Sequence, residues 1–354
     1  MKHLRHIFCG IAAIALLASP SLALAHDGPE HDIEELTQRM QIEGESADLL
    51  LQRAIEYNVL SKSAEAIKDL RRALDFEPDS ATLQRELSRA LFITGKTNEA
   101  LELASHAIRH VPEGADRAFL RMVRCEILRA RKDYQKAADD ADKAIQEHPA
   151  NAEWYHTRSL LQQQLGLKKE RIKGLQDGIE ETGSGLLEAD LVDAFIDGGK
   201  AEEAMAIIEK ELSETRVQSS WLIRRARARL ALKQKDDART DLDAALAELN
   251  KRITPNSRDP LLLADRGRAY DLLGKTEEAK KDYEQARDRG MGDEWMRERL
   301  RAFKEAEDKK KDDKKGGGRK KDDPKAEKKE QKTADKPDPS ADDKDDKPAD
   351  DDAK

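Results

Sequence analysis

Apolar side chains recur every three or four residues through most of the chain between residues 47 and 292. Stretches such as ADLLLQRAIEYNVL, TLQRELSRALFIT and FLRMVRCEILRA place these side chains on one side of a helix. A short break follows each stretch, often at a glycine, and a second amphipathic stretch then ends close to a proline. The pattern predicts successive helix–turn–helix units with tight turns and no strands.

The second helix of each unit carries small residues at a fixed spacing. Two alanines lie seven residues apart, and the later one precedes a proline by five residues. Three units show this: Ala66, Ala73 and Pro78; Ala100, Ala107 and Pro112; Ala137, Ala144 and Pro149. Small residues on one face let two helices approach closely. A helix pair of about this length cannot bury its apolar face alone, so the units are expected to stack.

This spacing resembles the tetratricopeptide-repeat (TPR) family, whose units have a small residue at position 8, a large one at position 11, alanine at 20 and 27, and proline at 32. The strongest matches begin at Ala47, Ala81, Ala118 and Pro260, and weaker ones lie near Ala152, Gly185 and Ser219. The resemblance implies an all-α, right-handed superhelical solenoid of about seven antiparallel helix pairs.

The weaker repeats depart from the family pattern in the middle of the chain. Arg171 and Gly178 stand where alanine is expected, and the repeat near Ser219 lacks the glycine of its turn. These departures leave the local register of the middle repeats open.

The repeat region, residues 47–292, is flanked by two predicted caps. A leader and cap helix occupy residues 26–46, with the helix at Ile33–Met40 after an N-cap at Asp32. A C-terminal capping helix occupies residues 293–307, with Trp295, Met296, Leu300 and Phe303 at helical spacing.

Residues 308–354 contain no Val, Ile, Leu, Met or aromatic side chain, which predicts a disordered tail. Residues 309–332 hold 12 basic and 6 acidic residues, and residues 333–354 hold 4 basic and 9 acidic ones. The basic block fits a tether to a polyanionic envelope surface, and the whole tail also fits a solubilising segment without a partner.

Residues 1–25 have the pattern of a secretory signal peptide. Lys2 and Arg5 precede an apolar run from Ile7 to Leu17, and Ala23-Leu24-Ala25 is a cleavage motif. The run is shorter than the roughly 20 residues that span a bilayer, which disfavours the alternative of a membrane anchor. We expect an exported, periplasmic or extracellular protein that is not integral to a membrane once processed.

Composition agrees with a thin, solvated architecture. The chain is 38% hydrophobic, 39% charged and only 4% aromatic. A solenoid core one layer thick needs few bulky side chains. The net charge of -8 argues against a dedicated nucleic-acid-binding protein, which would need a basic face.

No catalytic motif is recognisable, so neither an enzyme nor a cofactor is predicted. Gly95-Lys96-Thr97 and Gly274-Lys275-Thr276 lack the earlier glycine and the preceding strand of a phosphate-binding loop. His106 and His110 lack the glutamate of a zinc-protease helix, and Cys125 occupies a packing position. A metal site formed by His26, His31 and neighbouring carboxylates is an alternative reading of the mature N-terminus, which is otherwise a polar leader.

The family's concave groove is the remaining candidate site. It is lined by positions 2, 5, 9, 12 and 13 of each first helix. The residues that the resemblance assigns to a partner-binding groove are Arg85, Arg89, Phe92, Phe119, Met122, Arg129 and Arg268. Apolar anchors beside positive side chains suit a protein or peptide partner, and the same residues also fit an ordinary solvated face. The asparagine of the family's chaperone-tail clamp is absent from position 9 of the repeats that supply these residues. The favoured function is therefore a non-catalytic scaffold for protein interaction.

Overall fold

The computed structural model describes residues 28–254, 257, 259–292 and 294–316, with side chains as far as residue 309. These residues form sixteen helices and no strand. The helix α1 (Pro29–Glu43) comes first and α16 (Glu294–Gly316) comes last. The first helices of the intervening pairs are α2 (Ala47–Val59), α4 (Ala81–Ile93), α6 (Ala115–Ala130), α8 (Ala152–Gln164), α10 (Gly185–Asp197), α12 (Ser219–Ala231) and α14 (Pro260–Leu272). The second helices are α3 (Ser63–Phe76), α5 (Thr97–His110), α7 (Tyr134–Glu147), α9 (Lys168–Thr182), α11 (Ala201–Glu214), α13 (Lys235–Arg252) and α15 (Thr276–Asp288).

The described chain thus contains the seven predicted helix pairs, here called repeats 1 to 7. Polar side chains cap several of the first helices. The Ser46 hydroxyl accepts from the Leu49 amide at 3.2 Å, and Asp259 accepts from the Leu261 amide at 2.9 Å. Pro260 then starts α14, where the missing N–H costs no helical hydrogen bond. The helices α3, α5 and α7 each end two residues before the predicted proline stops.

Every repeat turns at its fifteenth residue through a left-handed backbone conformation. Glycine supplies it in four repeats and another residue in three: Gly95, Gly166, Gly199 and Gly274, against Ser61, Lys132 and Lys233. The following amide donates to a carbonyl five residues earlier, as from Lys96 to Leu91 at 2.9 Å. This is the Schellman ending that a left-handed residue allows.

Small residues mark the crossings between helices, as the spacing predicts. The alanines at positions 20 and 27 are fully buried wherever they occur, and Cys125 at position 8 is also buried. Gly178 explains one departure from the family pattern, because a Cβ there would lie 2.6 Å from the Tyr155 ring. Gly267 is similarly covered by Tyr283. In each case the missing side chain makes room for an aromatic ring.

Two hydrophobic clusters meet at α6. One extends from Leu36 to Ile127, and the other extends from Ala118 to Ala269. Val123 and Ile127 belong to the first, whereas Met122 and Cys125 belong to the second. The helix α6 is therefore buried on two faces and joins the two clusters.

The paired helices form two layers. First helices of successive repeats contact each other at α4–α6, α8–α10, α10–α12 and α12–α14, whereas second helices of successive repeats hardly meet in the described chain. In a curved stack the inner layer is the more crowded one. The first helices thus line the concave side, as the TPR resemblance implies.

The chain divides into two compact units, one ending at Met291 and one beginning at Gly292. Helix α1 is longer than the predicted cap and begins at Pro29, with Gly28 rather than Asp32 as the N-cap. In the second unit, α16 contains the predicted helix and buries Met296 and Phe303, but it continues to Gly316. Five of the residues from 308 to 315 are lysine, which is a good helix former, and no glycine or proline interrupts them before Gly316, so the helix extends into the segment expected to be disordered.

None of the described helices combines the length and the apolar character needed to cross a membrane.

Candidate partner-binding surface

Helices α4 and α6 bring five of the predicted groove residues onto neighbouring helices of the inner layer. We call Arg85, Arg89, Phe92, Phe119 and Arg129 the α4–α6 patch. The Arg85 guanidinium lies 5.4 Å from the centre of the Phe119 ring, which joins the two helices directly. Arg89 and Arg129 are exposed, and neither forms an ion pair with a described residue. Phe92 is half-buried, and its neighbour Ile93 is 68% exposed.

The two other predicted groove residues have different surroundings. Met122 is buried in the core, so the expectation that it lines an open groove is wrong. Its side chain belongs to the hydrophobic cluster against which the partly buried Phe119 packs. The Phe119 ring also packs edge-on against the Trp154 ring, with 5.1 Å between the ring centres. Arg268 lies on α14 in a separate cluster of charges, described below.

A bidentate arginine–aspartate pair joins the two helices within four of the repeats. Position 7 of the first helix pairs with position 23 of the second through two bonds of 2.6–3.1 Å. The pairs are Arg53–Asp69, Arg124–Asp140, Arg225–Asp241 and Arg266–Asp282. Such fork-to-fork geometry is the strongest form of this interaction, and it raises the pKa of each arginine further.

Each of these arginines also reaches the helix that precedes its repeat. The third nitrogen donates to the side chain of Thr37, Ser105, Glu209 or Asn250. Repeat 4 uses a variant in which Arg158 donates to the Gly174 carbonyl at 2.9 Å. A Cβ on Gly174 would lie 2.6 Å from that guanidinium. Repeat 2 has Leu87 and Leu103 at the two positions instead.

A second set of charges crosses repeats 4 to 7 on the inner layer. We call Arg171, Asp193, Asp197, Arg224, Arg227, Asp265 and Arg268 the arginine–aspartate network. Arg227 bonds both Asp193 and Asp197, the latter at 3.0 Å. Arg224 approaches Asp193 at 3.3 Å, and Arg268 approaches Asp265 at 3.6 Å.

Arg171 explains the other departure from the family pattern. It replaces the alanine at position 20, and its side chain is buried between the helices. The guanidinium donates to Ser159 at 3.0 Å and to Asp197 at 2.9 Å. The substitution therefore delivers a positive charge through the helix pair to the inner layer.

Burial and mutual attraction shift the pKa values within the network in opposite directions. Burial alone would raise the pKa of Asp193, but four arginines, led by Arg224, outweigh it and hold this pKa below its usual range. Burial raises the pKa of Asp265 despite its partner Arg268. Burial also lowers the pKa of Arg268. Opposed shifts among neighbouring groups are typical of functional sites, although structural ion pairs produce them too.

The chain's other candidate groups lie apart from these surfaces. His31, Asp32 and Glu35 on α1 have potential ligand atoms within 4.8 Å of one another. His26, the other predicted ligand, lies outside the described residues. The rings of His106 and His110 stack at 4.2 Å.

Cys125 is fully buried, and burial raises the pKa of its thiol to about 12. Its predicted packing role agrees with this position, because a buried neutral thiol is a poor nucleophile.

Sequence reasoning identified only Arg268 within the network. Arg227 and Asp193 occupy position 9 of their repeats, so the groove rule contained them, but it was applied only to the stronger matches. Arg171 was noticed only because it replaces the alanine expected at position 20 of its repeat. The recurrent pairs had a readable signal as well, since an arginine is followed sixteen residues later by an aspartate in four repeats.

Comparisons with known proteins agree with this architecture. No family model matches the chain, and no curated protein matches it. A tetratricopeptide repeat protein from Parabacteroides merdae superposes with a TM-score of 0.53 at 19% identity, over 77% of this chain and 99% of the other. The C-terminal part of a TPR repeat-containing protein from Cytophaga hutchinsonii gives a TM-score of 0.50 at 13% identity, over 71% of this chain and 99% of the other. At these identities the likeness establishes the fold, which is a TPR-like solenoid.

Proposed function

We propose that this chain is an exported, non-catalytic scaffold that binds a peptide segment of another protein on its inner layer. TPR-like folds generally mediate protein–protein interaction. The α4–α6 patch carries the proposal, because it presents Arg89 and Arg129, which form no ion pair with a described residue, beside the apolar Phe92 and Ile93. Export rests on the signal-peptide pattern of residues 1–25, which lie outside the described residues.

The patch favours a peptide with apolar anchors and acidic flanks. The exposed Ile93 and the half-buried rings of Phe92 and Phe119 on adjacent helices form a surface for one or two anchor residues. The neighbouring arginines supply charge complementarity, which sets orientation and association rate. Arg85 is already engaged by Glu86 at 2.9 Å and by Phe119, so it supports the patch rather than serving as a free contact.

The test is a cross-linked pull-down from the native envelope followed by reconstitution with the purified partner. Baits are the mature chain, a version ending at Gly316, the double variant Arg89→Glu/Arg129→Glu, and the matched control Arg109→Glu/Arg216→Glu. The control reverses two arginines that are exposed outside the inner layer. We expect one partner to bind the first, second and fourth baits and to bind the third at least about tenfold more weakly. Equal recovery by all four baits, or by none, would overturn the proposal.

Metal binding at the N-terminus is a second candidate, favoured by the grouping of His31, Asp32 and Glu35. A nitrogen and two carboxylate oxygens suit a divalent transition metal. Titration of the mature chain with Cu²⁺ and Zn²⁺ should show binding that His31→Ala weakens and His106→Ala leaves unchanged. Identical isotherms for wild type and His31→Ala would exclude this site.

Tethering through the tail remains a prediction, because nearly all of that segment lies outside the described residues. If the tail binds a polyanionic surface, retention on isolated envelopes should fall with rising salt and disappear in the version ending at Gly316.

A further inference from the structure

Helix α1 occupies the place of a second helix in the stack. It begins 34 residues before α3, which is also the spacing between the starts of repeats 1 and 2. Its ninth residue, Thr37, accepts a hydrogen bond from Arg53 of the following repeat at 2.9 Å. Ser105 and Glu209, the ninth residues of α5 and α11, accept in the same way from the arginines that follow them. The helix α1 is therefore the second half of a repeat whose first helix is absent from the residues that the structure describes.

The face of α1 that would contact a first helix lacks the cover that the other repeats provide. Glu35 and Arg39 hold positions 23 and 27 of this half-repeat, in the register of repeat 1. Asp69 and Ala73, at the same positions of repeat 1, are at most 4% exposed because α2 packs over them. On α1, by contrast, Glu35 is exposed and the Arg39 side chain is 43% exposed. A first helix placed against α1 would cover both.

The neighbouring side of α2 shows the same departure. In repeats 2 to 7, position 10 of the first helix holds an apolar residue that is at most 2% exposed. These residues are Ala90, Ile127, Leu161, Ala194, Ala228 and Ala269. Repeat 1 has the half-buried Glu56 at this position, beside Ile55, which is 46% exposed. The departure occurs in the repeat that α1, rather than a complete helix pair, precedes.

A cavity of about 240 Å³ lies between these faces of α1 and α2. Its walls include Glu35, Leu36 and Arg39 from α1, and Ile55 and Glu56 from α2. Pockets for small molecules usually measure about 300–1,000 Å³. The smaller volume favours side chains of a docked helix, with apolar ones against Leu36 and Ile55, over a free small molecule.

Glu35 specifies one side chain of such a helix. In four repeats, position 23 holds the aspartate that accepts two hydrogen bonds from the arginine at position 7 of the first helix. Glu35 holds this position on α1, and it forms no hydrogen bond or ion pair with a described residue. Because a carboxylate and a guanidinium match each other in charge and geometry, Glu35 favours an arginine on the docked helix.

Another chain is the source of this helix in the exported protein. The proposed removal of residues 1–25 leaves residues 26–28 before α1. Three residues are too few to form a first helix, which has 13 residues in α2, α4 and α8.

We propose that a partner protein docks an amphipathic helix between α1 and α2, where an arginine of that helix bonds Glu35 and its apolar side chains contact Leu36 and Ile55. The docked helix completes the half-repeat as α2 completes repeat 1. This surface is separate from the α4–α6 patch. The inference therefore goes beyond the proposed function, and it holds even if the patch binds no peptide.

The test uses a displayed library built on the α2 sequence, ADLLLQRAIEYNV, with positions 3, 4, 7, 8 and 11 randomised. A cross-link on the solvent-facing side keeps each member helical, since so short a peptide forms little helix alone. The bait is the chain beginning at His26, and EDTA is present because a metal ion would compete for Glu35. We expect the selected helices to carry arginine at position 7. Replacing that arginine by glutamine in the best synthetic helix should weaken binding about tenfold.

Variants of the protein assign the effect to α1. Glu35→Gln should weaken the arginine helix about tenfold and leave the affinity of the glutamine helix unchanged, whereas Glu35→Asp should keep the preference for arginine. Glu34→Gln, at an exposed neighbouring position of α1, is the matched control and should change neither affinity. The double variant Arg89→Glu/Arg129→Glu should bind both helices as the wild type does, which separates this surface from the α4–α6 patch. Circular dichroism confirms that each variant is folded.

Several outcomes would overturn the inference. These are selection of no helix, selection of helices without a preference for arginine, and equal losses in Glu35→Gln and Glu34→Gln. Self-association of the mature chain that Glu35→Gln abolishes, measured by sedimentation, would assign the surface to a second copy instead. Failure of the unprocessed chain to bind a helix that the mature chain binds would assign it to residues 1–25.

Discussion

Lys233 lies in the left-handed region at the turn of repeat 6, where four other repeats have glycine. A side chain with a Cβ is strained there by about 1 kcal/mol, and glycine costs somewhat less through its greater freedom in the unfolded chain. We expect Lys233→Gly to raise the free energy of unfolding by about 0.5 kcal/mol, and Gly274→Ala to lower it by about 1 kcal/mol. Urea unfolding followed by circular dichroism measures both. Destabilisation by Lys233→Gly would show that this lysine contributes contacts that compensate for its backbone.

Individual residues of the repeats also show which features of the fold can be predicted from the sequence and which cannot. Alanine and proline spacing predicted the helix pairs because those residues act locally, through close approach and chain termination. Gly178 and Arg171 were visible only as departures, because their reasons lie in the Tyr155 ring and in Asp197, which belong to other helices. The sequence also placed the residues of the α4–α6 patch on neighbouring first helices, whereas Met122 is buried, and the role of the patch in binding stays a prediction. The arginine–aspartate network was largely missed, because its charges converge from four repeats.

The two helices of a repeat are joined by a buried arginine–aspartate pair in four repeats, whereas repeat 2 has two leucines at the same positions. Removing one member of a buried pair leaves an unpaired charge and costs about 3 kcal/mol, whereas replacing both by apolar residues is often neutral. We expect Arg266→Leu to lower the free energy of unfolding by about that amount, and Arg266→Leu/Asp282→Leu to recover most of the loss. Denaturant titration of the wild type, Arg266→Leu, Asp282→Leu and the double variant completes the double-mutant cycle. Equal losses in the Arg266→Leu and double variants would mean that the pair itself is strongly stabilising.

At the scale of the whole molecule, the network makes stability depend on pH. Burial opposes the charge on Asp193, but the surrounding arginines prevail and hold its pKa below the unfolded value of about 4. A carboxyl with a depressed pKa stabilises the fold above the unfolded pKa, and this contribution is lost as the pH falls through the folded pKa. Asp193→Asn should therefore be less stable than wild type at pH 7, with the gap narrowing towards pH 3. Melting curves across that range test this, with Asp116→Asn as an exposed control. A gap independent of pH would mean that Asp193 acts only through packing.

Cys125 reports on the junction of the two hydrophobic clusters. Burial raises the pKa of its thiol to about 12, so roughly one molecule in ten thousand is a thiolate at pH 8. We expect the protein beginning at His26, which lacks Cys9, to resist labelling by Ellman's reagent until it unfolds. The labelled fraction should then follow the loss of helix along a denaturant titration. Rapid labelling without denaturant would show that α6 opens while the rest of the solenoid stays folded.

The bidentate pairs also constrain which repeat can precede which along the chain. The third nitrogen of each arginine in these pairs donates a hydrogen bond to a side chain in the helix before its own repeat. Arg124 donates to Ser105, for example, and Arg266 donates to Asn250. A repeat of this kind is therefore matched to its predecessor as well as to itself. Shuffling repeats 3, 6 and 7 while keeping their internal sequences would leave these donors facing unsuitable neighbours. The repeats therefore share one fold but are not interchangeable in their order along the chain.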